Sequence, residues 1–203
     1  SDILPPPAYI IESYLVALQI YDLADAGNNG AKIDALIEYG KKLKDGPGAY
    51  LDRINVWKKD HPEGNAEEKK IKNLITKLTV DPALEFYKIR DTKYIPAIKA
   101  GKLPDAAKIL RTELKPAYEA HRKQVDELVT LANKYAEAAG NEATSRIAKG
   151  ESGGDLRIKG KLYNRIIMMK DLVADVLPPP CYIIESLLVA LQMIDEVDAN
   201  GGK

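Results

Sequence analysis

The chain has 203 residues, 45% of them hydrophobic, and its 30 basic and 30 acidic side chains cancel; this supports one globular domain, or one with part of another. The charges are interspersed, which excludes the basic field that draws nucleic acid, and no apolar run nears the roughly 20 residues that cross a bilayer. The N-terminus lacks the pattern of a signal peptide, and the single Cys181 excludes an internal disulfide and leaves no zinc or c-type haem motif.

In chain order, Pro5 to Pro7 are tolerated in a first turn, so a helix is expected from near Pro7 to about Ala26, ended by the GNNG of Gly27 to Gly30. Ala31 to Lys44 reads as a second helix, with Ile33, Leu36, Ile37 and Leu43 at helical spacing, before the DGPG break. Ala49 to Asp60 is a third, carrying the only Trp and ended by HPEGN. Ala66 to Leu78 follows, and Asp81 with Pro82 is expected to cap and open a new helix to about Ala100. Pro104 opens the longest segment, whose stripe steps through Ala107, Leu110, Leu114, Ala117, His121, Val125, Leu128, Ala132, Tyr135 and Ala139, with Pro116 expected to bend it. After the KGESGGD linker, Leu156 to Val176 is a further amphipathic helix.

No segment alternates with a period of two, so the fold expected is all-α, an antiparallel four-helix bundle in which short helices stack end to end. The domain plan is a bundle over 1–148 lacking its first helical segment, a linker over 149–155, and that segment plus a partial second copy over 156–203. The duplication is plain: DILPPPAYIIESYLVALQIYDLADA at Asp2 to Ala26 returns as DVLPPPCYIIESLLVALQMIDEVDA at Asp175 to Ala199. Identical ends would mark an artificial overlap; these differ, which favours a tandem or a fusion of related sequences. Tyr14 becomes Leu187 and Tyr21 becomes Ile194 on one helical face, and both copies want the same groove.

The stretches LYNRIIMMKDLVADVLPPPCYIIESLLVALQ, DPALEFYKIRDTKYIPAIKAGKLPDAA and LKPAYEAHRKQVDELVTLA resemble the extracytoplasmic four-helix-bundle sensor domains of bacterial methyl-accepting chemotaxis receptors. The resemblance implies a periplasmic module of a membrane-anchored receptor that binds a small solute and relays binding by helix displacement; a homodimer, domain-swapped or side by side, is expected separately, because two copies of one helix compete for one groove. It also implies that the Leu156 to Val176 helix returns alongside the long helix and completes the bundle.

Candidate ligand residues come from polar groups on apolar stripes. Arg90 sits between Tyr87 and Tyr94 on a stripe with Ala83 and Ala97, a setting suited to a carboxylate or other small anion or to a boundary arginine that pairs internally. His121, with Tyr118 one turn before it, reads as a satisfied core histidine or a polar ligand contact. Tyr14 and Tyr21 offer hydroxyls to a cavity or sit at its rim. Glu12 and Glu185 suit an N-terminal turn, and Arg53 with Trp57 make a cation and aromatic pair or cap one end of the core. His61 has no ligand spacing around it, and with no nucleophile and base, phosphate loop or paired carboxylates, neither catalysis nor a cofactor is expected. The alternative to a sensor is a structural bundle that assembles through the duplicated helix.

Overall fold

A computed structural model describes residues 8–27, 30–59, 64–151, 153–176 and 184–199. The expected proline runs, the Asn28 and Asn29 turn, His61 and Cys181 lie outside the described residues. The helices are α1 (Ile11–Asp25), α2 (Gly30–Asp45), α3 (Tyr50–Lys59), α4 (66–99), α5 (103–148), α6 (Lys161–Val176) and α7 (Ile184–Ala199). Among the described residues there is no strand, and the chain is an all-α antiparallel bundle.

Proline inside an apolar helical pattern widens a turn here and leaves the helix running. Within α4 the α-helical stretches Ala66–Asn73, Val80–Ile89 and Ile95–Lys99 are joined through π-helical Leu74–Leu78 and Arg90–Tyr94; within α5, π-helical Leu110–Leu114 joins Leu103–Ile109 to Lys115–Ala148. Two π turns close on the residue just before a proline: Ile95 N donates to Arg90 O ahead of Pro96, and Lys115 N to Leu110 O ahead of Pro116. A proline ring collides with the carbonyl four residues back, and a bond reaching five back opens the turn that must receive it. The helix expected to open at Asp81 and Pro82 is present as Val80–Ile89, two residues early and without a side-chain cap, and it follows the first π turn of α4 through the single residue Thr79. The backbone runs through Thr79, whose N–H reaches Leu74 O at 3.0 Å while its Oγ1 donates to Leu74 O and Ile75 O. In α5 the inward seam after Leu114 passes through Tyr118 and His121, and Ala117 is half-buried.

Four layers result. α2 and α3 stack end to end as one, α4 and α5 are two more, and α6 followed by α1 makes the fourth. α6 packs along α5 and contributes Met169, Leu172 and Val176 to the common core, as the expected completion of the bundle requires. It starts at Lys161 and not at Leu156, because a 3-10 turn at Gly154–Leu156 and a bond from Gly160 N to Arg157 O reverse the chain first. A Cβ on Gly160 would lie 2.3 Å from Gly154 O, so the turn admits only glycine.

The seam between α6 and α1 joins residues far apart in sequence. Ala8 N donates to Asp175 O at 2.9 Å, and Asp175 Oδ2 accepts from Arg53 Nε at 2.9 Å, from Arg53 Nη2 and from Trp57 Nε1 at 2.7 Å. Arg53 and Trp57 thus converge on one carboxylate at the end of the core. α1 occupies the groove: Ile11 through Leu18 are buried all round, against α2, α4 and α5 on one side and α7 on the other. Asp175→Ala is expected to cost about 2 kcal/mol by stranding charged and indole donors, read as a lower urea midpoint with an unchanged slope.

Candidate functional site

The interior carries an unusual density of hydroxyl-bearing rings. Tyr14 stacks on Tyr118 at 4.6 Å between centroids and meets Phe86 edge-on at 6.2 Å. Tyr9 OH and Tyr118 OH share a hydrogen bond of 3.0 Å. Tyr50 lies 5.6 Å from Tyr87 and 6.2 Å from His121, linking the two ends of the row. Burial lifts the Tyr9, Tyr50, Tyr87 and Tyr118 phenols above their ordinary range, so all stay protonated at neutral pH.

His121 is fully buried, and both ring nitrogens are used: Nδ1 is 2.7 Å from Thr79 O, and Nε2 receives Ile10 N at 3.4 Å. These partners fix the tautomer with hydrogen on Nδ1. Burial pulls its pKa down to about 4 against the opposing pull of the Thr79 carbonyl, so the ring is neutral. It pins the start of α1 to the middle of α4 and α5.

Arg90 is anchored by its own protein. Nη1 donates to Gly40 O at 2.8 Å, Nε to Asp91 Oδ1 at 2.8 Å, and the guanidinium covers the Tyr87 ring at 4.9 Å from its centroid. A Cβ on Gly40 would lie 3.5 Å from Arg90 Nη1 and from Val16, an ordinary contact, so a larger side chain there would press on the guanidinium. Tyr87 OH pairs with Ser13 Oγ at 3.1 Å, and Tyr94 OH donates to Ala17 O at 2.6 Å, so α1 is held to α4 by both tyrosines of the Arg90 stripe. Three buried polar atoms have no hydrogen-bond partner among the described residues: Arg90 Nη2, Tyr50 OH and Glu12 Oε2. The other Glu12 oxygen accepts from Tyr39 OH at 2.5 Å.

Beside Arg90 lies a cavity of about 300 Å³ between α1, α2 and the second π turn of α4. Val16, Ala17, Ile20, Leu36, Ile37 and Ile95 supply an apolar wall, while Arg90, Lys41, Asp45 and Asp91 give it two charges of each sign. Such a space suits a small molecule with an aliphatic body and one charged end. Among the described residues no group of three His, Cys, Asp or Glu is placed to hold a metal, and no helix is long and apolar enough to cross a membrane.

Of the residues expected from the sequence, Arg90 alone lines this cavity. Tyr87 and Tyr94 stand directly behind it as supports, Tyr14, Tyr118 and His121 form the closed aromatic row deeper in the bundle, and Tyr21 packs half-buried near the end of α1. The sequence reading missed Gly40, Ser13, Tyr9 and Tyr50. The repeated YIIES string was the available signal for Tyr9 and Ser13, since it holds the polar groups that α1 uses to bind the bundle.

A second buried cluster, equally missed, fastens α6. Tyr135 OH and the Gly64 and Asn65 amides donate to Glu68, Asn65 caps Ala66–Asn73, and Arg165 of α6 reaches Glu68 at 3.5 Å. Burial would raise the Glu68 pKa, but these donors outweigh it and hold the carboxyl below its ordinary range. Comparison with family models, curated proteins and solved structures finds no match. The class the fold defines is therefore an all-α bundle with a cavity at a π turn.

Because the His121 pKa falls on folding, its contribution to stability is complete above the unfolded value near 6.5 and declines as pH drops toward about 4. The expected loss over that window approaches about 3 kcal/mol. Urea unfolding at pH 7, 5.5 and 4.5 should show it, and His121→Gln should flatten that part of the profile. His121→Leu should destabilise, since it strands Thr79 O and Ile10 N.

Proposed function

We propose that this chain is the ligand-binding sensor module of a bacterial methyl-accepting chemotaxis receptor, exposed in the periplasm, with the α1–α2–α4 cavity as its solute site. The observation that carries the reading is the position of that cavity: it opens at the π turn Arg90–Tyr94, where α1, α2 and α4 meet around an arginine. A π turn holds one residue more than the helix needs, so a ligand that prefers a tightened turn shifts the rest of α4 along its axis. The helix layers supply the rigid parts that pass such a displacement on. The resemblance of the quoted strings to chemotaxis sensor domains is the sequence support for this reading.

The solute class is a small carboxylate with an aliphatic body. Its carboxylate meets Arg90 and Lys41, and its hydrocarbon meets Ile20, Leu36 and Ile37. Asp45 and Asp91 disfavour a polyanion. A second reading, a bundle that assembles as a homodimer through the duplicated helix, draws on the apolar residues that α7 leaves exposed.

Thermal unfolding with a panel of small carboxylates, amines and nucleobases tests the first reading. A ligand at one hundred times its Kd adds about 2.7 kcal/mol to native stability. Leu36→Trp, at a half-buried wall position, should keep the fold and weaken binding at least about tenfold, or 1.4 kcal/mol. Arg90→Ala should abolish binding but also lower the midpoint, because Gly40 O loses its donor. A midpoint that ignores every solute and rises only with protein concentration would replace the sensor reading with the assembly reading.

A further inference from the structure

α7 repeats α1, yet the two helices lie in opposite environments. From Tyr9 to Gln19 every residue recurs 173 positions later except Tyr14, which is Leu187. α1 fills the groove of the bundle, while α7 lies outside it against α1. Val189 and Met193 are 47% and 64% exposed, where their counterparts Val16 and Ile20 are 3% and 1% exposed. Leu187 and Ile194 are exposed as well.

We infer that α1 and α7 are alternative occupants of one groove, and that the chain exchanges them within itself. The hydrogen bonds that Glu12, Ser13 and Ala17 make with the bundle are available from α7. Glu12, Ser13 and Ala17, which bind Tyr39, Tyr87 and Tyr94, have the identical counterparts Glu185, Ser186 and Ala190. The outer seat is interchangeable as well: α7 buries Ile184 and Leu188 there and half-buries Leu191, and α1 carries the same residues as Ile11, Leu15 and Leu18. The delivery point is already in place. Asp175 O receives Ala8 N, and the residue matching Ala8 is Cys181, six positions after Asp175 in the covalent chain. α7 is tethered to α6 beside the groove, so its effective concentration there exceeds that of a second chain.

Two differences hold the present arrangement. Tyr14 stacks on Tyr118 and meets Phe86, contacts that Leu187 lacks, and each aromatic pair biases a population by roughly two- to tenfold. Glu196, which pairs with Lys115 at 2.7 Å from the outer seat, is Leu23 in α1. Exchange also rebuilds the wall of the cavity, placing Met193 where Ile20 stands. The inference stands on the duplicated helices and is independent of the ligand reading.

Thiol labelling of the full chain tests it, with Val16→Cys and Val189→Cys placed separately in a Cys181→Ser background. Cys at 189 should label fast and Cys at 16 slowly. Interchanging the biasing residues, by Tyr14→Leu and Leu187→Tyr with Leu23→Glu and Glu196→Leu, should reverse the order, with each rate moving about tenfold. An unchanged order overturns the inference, and so does protection at 189 that grows with protein concentration. A stability series guards against misfolding of that variant. Ile20→Asp should keep cooperative unfolding because α7 takes the groove, Met193→Asp should be neutral, and the double variant should lose the transition. If Ile20→Asp alone unfolds the chain as completely as the double variant, the exchange does not occur.

Discussion

One carboxylate at the end of α6 closes the bundle. Asp175 takes three donors from Arg53 and Trp57 on its side chain and the Ala8 amide on its carbonyl, so α6, α3 and the entry to α1 meet at one residue. Without that junction the fourth layer would be two loose pieces, and the groove that holds α1 would have no fixed end. The Glu68 cluster fastens the other end of α6 in the same manner, with Tyr135, Asn65 and Arg165 around a buried carboxylate. Apolar burial provides the bulk of the stabilisation, and these two acidic anchors set the register of α6.

The π turns connect the fold to the candidate site. Prolines at 96 and 116 sit inside helices whose apolar stripes are too long to abandon, and the wider turn before each keeps the stripe facing inward. The turn at Arg90–Tyr94 places a guanidinium where a regular helix would pack against α2, and the Gly40 carbonyl and the Tyr87 face receive it. The adjoining space remains open because Gly40 adds no side chain to fill it. A proline and an arginine of α4 and a glycine of α2 thus meet at one cavity.

The interior hydroxyls and His121 serve mainly to seat α1. Tyr9, the Ile10 amide, Ser13 and the Ala17 carbonyl each find a partner on α4 or α5. A helix buried on all sides has little amphipathic pattern to orient it, and these polar contacts define its rotation instead. Their recurrence in α7 makes the duplicated helix more than surplus apolar surface.

Helix content and the all-α class were legible in the sequence, because three- and four-residue apolar spacing and turn residues act locally, whereas the return of α6 along α5 was expected only from the family resemblance. The inward stripe of Ala83, Tyr87, Arg90, Tyr94 and Ala97 was legible for the same reason. Continuity with the π turn before Pro82 was not, since Asp81 followed by Pro82 reads locally as a fresh helix start, and the packing of one long stripe against α5 keeps the backbone helical there. Nor did the sequence decide that Arg90 turns to Gly40 and Asp91, that Asp175 gathers Arg53 and Trp57, or which copy of the repeated helix takes the groove. Those outcomes depend on distances between residues tens of positions apart, and the aromatic contacts of Tyr14 with Tyr118 and Phe86, which favour α1, exist only once the helices have packed.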